Sequence, residues 1–267
     1  MHPLIQKLLL EHPVITDGAW GSQIQSLGLR PGECPDNWNL DNPAAVRQVA
    51  SSYVAAGSRI ILTNTFGANR IMLERHGLSD KAAAINKAGA MISREAAQDA
   101  AFVFGSIGPT GKMAFSGEVT ESELIEAFAE QAIALAEGGV HGFVIETMSE
   151  LAEARSALKA AQQIGLPVVV SMTFDSGKGY ERTMMGITPE EASEELKVAG
   201  ADVIGANCGM GTEYIVSICS RLRSTTNLPI WIKPNAGLPE VFNGSVTYKS
   251  TPESFAGYAM KIQAAGA

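Results

Sequence analysis

The chain has 267 residues, 46% hydrophobic and 18% charged, with a formal net charge of −8. That size and apolar content suit one globular α/β domain spanning residues 1–267, since single strand-and-helix barrels run to about 250 residues. The acidic balance excludes nucleic acid as natural partner, and no apolar stretch nears the ~20 residues of a bilayer span. The opening residues lack a secretory signal's basic-then-apolar order, and three cysteines make no disulfide framework, so a cytoplasmic setting with free thiols is expected.

In chain order, short apolar runs predict strands at residues 14–17, 59–64, 102–107, 141–146, 167–173, 202–206 and 229–233. Helical patterns lie between them at 43–56, 81–100, 121–137, 151–164, 189–198, 213–223 and 251–265. This alternation predicts a parallel sheet with helices outside. Capping signals agree: Asp41-Asn42-Pro43, Thr120 with Glu123, and Thr188 with Glu191 each open a helix.

An internal repeat runs through the pattern. Gly57, Gly139 and Gly200 each precede an apolar run, and seven positions after each glycine stands a polar residue: Asn64, Glu146 and Asn207. Gly266 begins a fourth copy. Seven strands are one short of a closed (β/α)8 TIM-type barrel, so the eighth strand and its site residues are expected to lie beyond Ala267. An open seven-stranded sheet is the alternative.

In parallel α/β folds the C-terminal ends of the strands carry the site. Asp17-Gly18-Ala19 ends the first predicted strand in a turn whose N–H groups suit an anion, although Asp17 also reads as a helix cap. Thr63-Asn64-Thr65 ends the second and suits a small polar ligand, or turn chemistry alone. Glu146 ends the fourth and suits an ammonium group, or an ion pair with Arg182. Residues 175–182 form a candidate lid. Asn207-Cys208-Gly209 puts one thiol at a strand end, where a buried core cysteine is the plainer reading. Lys233 reads as a paired lysine or a Schiff-base one. Cys219 falls on an apolar helical face, Cys34 sits in a loop with no evident partner, and His2, His12, His76 and His141 show no ligand spacing.

Taken together, Asp17-Gly18-Ala19, the run from Thr63 to Asn69, Gly108-Pro109, Glu146-Thr147, the run from Arg182 to Gly186, Gly205-Ala206-Asn207-Cys208 and the run from Pro234 to Pro239 resemble the homocysteine S-methyltransferase family, in order along the chain. The nearest likeness is to the homocysteine-binding barrel of the cobalamin-dependent branch. The resemblance implies a (β/α)8 barrel that transfers a methyl group to homocysteine, giving methionine. It implies one zinc ion held by three cysteines, of which Cys208 matches one. The other two, an adjacent pair after strand eight, would fall beyond Ala267, and without them residues 1–267 are expected to be inactive. It further implies that Asn235 fills the zinc's open position before substrate arrives, that Glu146, Asn207, Thr63, Asn64 and Thr65 hold the amino-acid part of homocysteine, and that the Asp17-Gly18-Ala19 turn faces its carboxylate.

The chemistry fits that reading. A free thiol has a pKa near ~8.5 and only the thiolate is the nucleophile; a bound metal deprotonates a coordinating thiol. The implied methyl donor is methylcobalamin on a corrinoid-carrying domain or protein, with S-methylmethionine or betaine as other donors. The competing reading is a metal-free amino-acid-binding or scaffold barrel.

Overall fold

The computed structural model describes residues 1–11, 13–237, 240–242, 245–248 and 250–267. His12, Leu238 and Pro239, named above, lie outside the described residues. The chain opens with helices α1 (Pro3–Leu9), α2 (Trp20–Ser26), α3 (Trp38–Asp41) and α4 (Pro43–Ala55). Strand β1 (Ile60–Leu62) leads to α5 (Arg70–Leu73) and α6 (Ala82–Ala97), then β2 (Phe102–Ile107), α7 (Glu121–Glu137), β3 (Gly142–Met148) and α8 (Leu151–Gln162). There follow β4 (Val168–Met172), α9 (Pro189–Val198), β5 (Val203–Cys208), α10 (Thr212–Thr225) and β6 (Ile230–Pro234). A hairpin of β7 (Glu240–Phe242) and β8 (Ser245–Thr247) precedes α11 (Pro252–Ala264). Strands β1 to β6 form one sheet in chain order, consistent with part of a TIM-type barrel. No helix among the described residues is long and apolar enough to cross a membrane.

Of the seven expected strands, six form the parallel sheet among the described residues. Residues 14–17 contribute only an isolated parallel bridge, Thr16 to Ile60. The physical reason is Asp17. Its backbone N–H donates to Ile60 O, but its carboxylate accepts the N–H of Leu62 at 2.7 Å. A side chain therefore closes the edge of β1 where a further strand residue would have done so.

The chain divides into two compact units, residues 1–145 with 155–168, and residues 146–154 with 169–267. In the first, β1 pairs with β2 and β2 with β3, and Phe104, Phe128, Leu135 and Phe143 are fully buried. In the second, β4 pairs with β5 and β5 with β6, over a core that includes Ile204, Ala206, Ile215 and Leu222.

Helix starts follow the capping chemistry. Thr120, Thr188 and Thr251 each form a reciprocal capping box, and the Asn42 side chain accepts from Ala45 N ahead of Pro43. The repeat has a physical basis as well. Gly57, Gly139, Gly200 and Gly266 follow α4, α7, α9 and α11 with φ of 90°, 89°, 90° and 111°. Each is a residue with positive φ that follows the end of a helix, and the first three turn the chain toward β1, β3 and β5.

Candidate functional site

The second unit gathers its polar strand ends around Cys208. Strand β5 packs its backbone tightly against β6: a Cβ at Gly205 would lie 2.2 Å from Trp231 O. It ends in Asn207 and Cys208, then turns through Gly209 and Gly211 into α10. The Asn207 amide makes four hydrogen bonds. Its Oδ1 accepts from Thr147 N at 2.9 Å and from Ser171 Oγ at 2.7 Å. Its Nδ2 donates to Thr147 Oγ1 at 2.7 Å and to Cys208 Sγ at 3.3 Å. That is the full capacity of an amide side chain. Asn207, 2% exposed, thus spends its side chain on seating Thr147 and Cys208. The Thr147 hydroxyl stands 3.8 Å from the Cys208 sulfur, and Thr173 Oγ1 braces Asn207 O at 3.3 Å.

Two of these residues hold uncommon backbone. Thr147 has φ of 62° and Cys208 of 58°. Left-handed conformations of non-glycine residues cost about 1–3 kcal/mol each and cluster at functional sites. Burial pushes the Cys208 thiol upward; the hydroxyl of Thr147 opposes this, the nearby Glu146 charge adds to it, and Asn207 and the Lys233 ammonium oppose it. The sulfur therefore lies within electrostatic reach of one acid and one base. Glu146 is 8% exposed, and Arg182 donates from its guanidinium to Gly186 O at 2.8 Å. Lys233 is in register with Asn207 across β5 and β6. Asn235 donates its N–H to Cys208 O at 3.4 Å and its Nδ2 to Gly209 O at 3.1 Å, so it fixes the turn that carries the sulfur.

The sequence reading missed Thr147 and Ser171. Thr147 is part of the quoted Glu-Thr pair, yet nothing in a sequence announces a threonine with positive φ. Ser171 shows as a lone hydroxyl inside the apolar run of β4, and that was the available signal.

The first unit holds the other expected site residues. Asp17, 4% exposed, accepts from Trp20 Nε1 and Leu62 N, both at 2.7 Å. It is not the cap of α2, whose N-cap is Ala19 with no side-chain bond. Gly18 is constrained, because a Cβ there would lie 2.9 Å from the Tyr53 hydroxyl, which itself donates to Ala19 O. Thr63 and Thr65 share a hydrogen bond of 2.5 Å, and Thr65 Oγ1 donates to Ser106 O. Asn64 donates to Pro35 O and to Asn39 Oδ1. Carbonyls of this loop are taken by amides from elsewhere: Asn39 to Asn64 O, Gln131 to Thr65 O and Asn86 to Ala68 O. The side chains of Thr63, Asn64 and Thr65 therefore shape the loop from within.

The sequence profile described as Homocysteine S-methyltransferase matches residues 14–267. The chain belongs to the homocysteine S-methyltransferase family. It is 26% identical over 266 residues to methionine synthase of Mycobacterium leprae, and 25% identical over 267 residues to that of Mycobacterium tuberculosis. Each alignment covers 93% of this chain and 22% of the relative, so the chain spans about a fifth of the length of these curated relatives. In structure it resembles the homocysteine methyltransferase MmuM from Escherichia coli in its metallated form, with a TM-score of 0.77 and 22% identity, covering 98% of this chain and 92% of that one. That likeness is one of fold.

For a homocysteine S-methyltransferase, the test of the metal reading is the donor set. Cys208 is half-buried and offers one sulfur beside hydroxyl and amide groups. Among the described residues, no three or more His, Cys, Asp or Glu side chains come together in a way that would hold a metal ion. Cys219 is fully buried and directs its thiol to Ile262 O, in line with its core reading. Cys34 differs from the expectation of no partner: its sulfur lies 3.8 Å from Asp36 Oδ2, and burial pushes its thiol up to about 11. These residues by themselves do not fit a zinc site.

The loop expected to be a lid is a pinned hairpin. Ser176 and Arg182 form an antiparallel bridge, Tyr180 meets Tyr214 of α10 edge to face, and Arg221 of α10 binds both Glu181 and Glu190.

Proposed function

We propose that this chain is the homocysteine-binding module of a thiol methyltransferase that forms methionine. The observation that carries this is the seat of Cys208: a single sulfur at a strand end, held by the Asn207 amide and the Thr147 hydroxyl, with Glu146 close enough to act on its charge. Family membership supports the same reading. Glu146 is assigned the ammonium group of homocysteine: it is a carboxylate near the Cys208 sulfur, and a carboxylate binds an ammonium group through charge-assisted hydrogen bonds. Separately, in the first unit, the Asp17 carboxylate is engaged with Trp20 and Leu62. What that turn offers to an anion is its main chain at Gly18 and Ala19.

In the transfer the homocysteine thiol loses its proton, and the sulfur lone pair forms the new S–CH3 bond. The bond from methyl to donor breaks, and its electron pair leaves with the donor. The donor assigned is methylcobalamin, carried by a corrinoid-binding domain or protein, on the motif resemblance to the cobalamin-dependent branch of the family. Cys208 is assigned as one thiolate ligand of a zinc ion, with Asn235 beside it. Further thiolate ligands would come from outside residues 1–267, and no step is drawn through the metal.

The test is methionine formation from homocysteine and methylcobalamin, followed by mass spectrometry, in the protein that carries this chain. Cys208→Ser is expected to abolish turnover. Glu146→Ala is expected to weaken homocysteine binding about tenfold to a hundredfold, the loss of one charge-assisted contact of about 1.5–3 kcal/mol. Undiminished turnover by Cys208→Ser would refute the assignment.

A further inference from the structure

Four described non-glycine residues have clearly positive φ: Gln98, Thr147, Tyr180 and Cys208. Two of the four, Thr147 at 62° and Cys208 at 58°, stand at the ends of β3 and β5 and are joined by one side chain, that of Asn207. Threonine is a poor occupant of that backbone, because its branched Cβ crowds the main chain; glycine fits it without penalty. What threonine supplies and glycine lacks is the hydroxyl. Thr147 Oγ1 accepts the Asn207 Nδ2 proton at 2.7 Å, which leaves its own proton to give to Cys208 Sγ at 3.8 Å. The backbone is locked by the same partner, since Thr147 N donates to Asn207 Oδ1. Ser171 Oγ holds that Oδ1 from the other side.

We infer that Thr147 is a positioning residue, whose strained backbone and hydroxyl together fix the direction of the Cys208 sulfur. This rests on the thiol-methyltransferase reading above, because it takes Cys208 as the working sulfur. Thr147 touches no substrate in this assignment. It acts through Cys208, and Asn207 is the brace that holds both. A residue kept for stability alone would show the opposite economy: removing it would lower the melting temperature and leave turnover per folded molecule intact.

Three substitutions in the protein that carries this chain separate the two roles. Thr147→Gly removes the strain and the hydroxyl, Thr147→Val keeps the branch and removes the hydroxyl, and Thr147→Ser keeps the hydroxyl. Thermal melting is read first. Thr147→Gly is expected to melt above Thr147→Val, because both leave Asn207 Nδ2 one acceptor short and only the glycine relieves the backbone strain. Steady-state kinetics with homocysteine are read second. The glycine and valine variants are expected to lose kcat on the order of tenfold to a hundredfold, with a smaller change in KM, while the serine variant stays within about threefold. A glycine variant that melts at or below the valine variant overturns the proposal, as does a valine variant with parental kcat. A parent that makes no methionine defeats the reading of function instead. The melting order then decides the strain claim alone: glycine above valine upholds it, and glycine at or below valine overturns it.

Discussion

At Asp36 a carboxyl is 5% exposed, and burial pushes its pKa up to about 6 from an ordinary 3.8. Its Oδ1 accepts the Gly67 N–H at 3.0 Å, and its Oδ2 faces the Cys34 thiol. An acid whose folded pKa exceeds its unfolded one holds its proton more tightly when folded. Its contribution to stability is therefore largest near pH 4, falls as the pH rises toward about 6, and is level above that. Asp36→Asn keeps an acceptor for Gly67 and removes the buried charge. It is expected to be more stable than the parent by about 1–3 kcal/mol near neutral pH, with the difference fading toward pH 4. Urea denaturation across that range reads the difference, and a pH-independent difference would count against it. Nothing in the sequence pointed to Asp36, because its burial depends on a loop distant in the chain. Cys208 and Glu146 stand out in the sequence because they close apolar runs. What they bond to was not legible: the Asn207 amide reaches Ser171 and Thr147 across neighbouring strands.

Among the elements, those with a strong local signal lie where the pattern put them. Helices α7 and α9 keep their expected bounds because a capping box fixes each start, and β2 does so because its apolar run is sharply bounded. Short elements held by tertiary bonds were invisible. The four-residue α3 has no capping bond and no apolar period. It is anchored by Asn39, 3% exposed, whose Nδ2 donates to Asn64 O at 2.8 Å and to Ile85 O at 3.1 Å. Asn39 also leaves no room at Gly89, where a Cβ would meet Asn39 Nδ2 at 2.5 Å. Asn39→Ala takes the Asn39 partner from Asn64 O and from an Asn64 Nδ2 hydrogen, and a second donor from Ile85 O, so it is expected to cost about 1–3 kcal/mol, visible as a lower urea midpoint. A loss under about 1 kcal/mol would show that α3 is held by other contacts. The β7–β8 hairpin was also missed, although the Asn-Gly dipeptide at 243–244 is a strong hairpin signal in sequence.

For the whole molecule the decisive question is how much of the chemistry residues 1–267 carry. The repeat that opens each copy with a left-handed glycine places a polar residue at the end of every other strand, Asn64 after β1 in the first unit, and Glu146 in β3 and Asn207 in β5 in the second. Yet of the chain's three thiols, two are committed elsewhere, Cys34 to Asp36 and Cys219 to Ile262 O. Tight zinc sites take three or four protein ligands, and a lone thiolate with hydroxyl and amide neighbours falls far short of that. Residues 1–267 alone are therefore expected to lose zinc on dialysis against a chelator, retaining well under one ion per chain by elemental analysis. Cys208→Ser should not change that figure. Where an adjacent pair of thiolates is supplied to the same chain, retention should rise to about one ion, and Cys208→Ser should then abolish it. One firmly held zinc in residues 1–267 themselves would mean that the donors are already present, and its loss or survival in Cys208→Ser would then say whether Cys208 is among them.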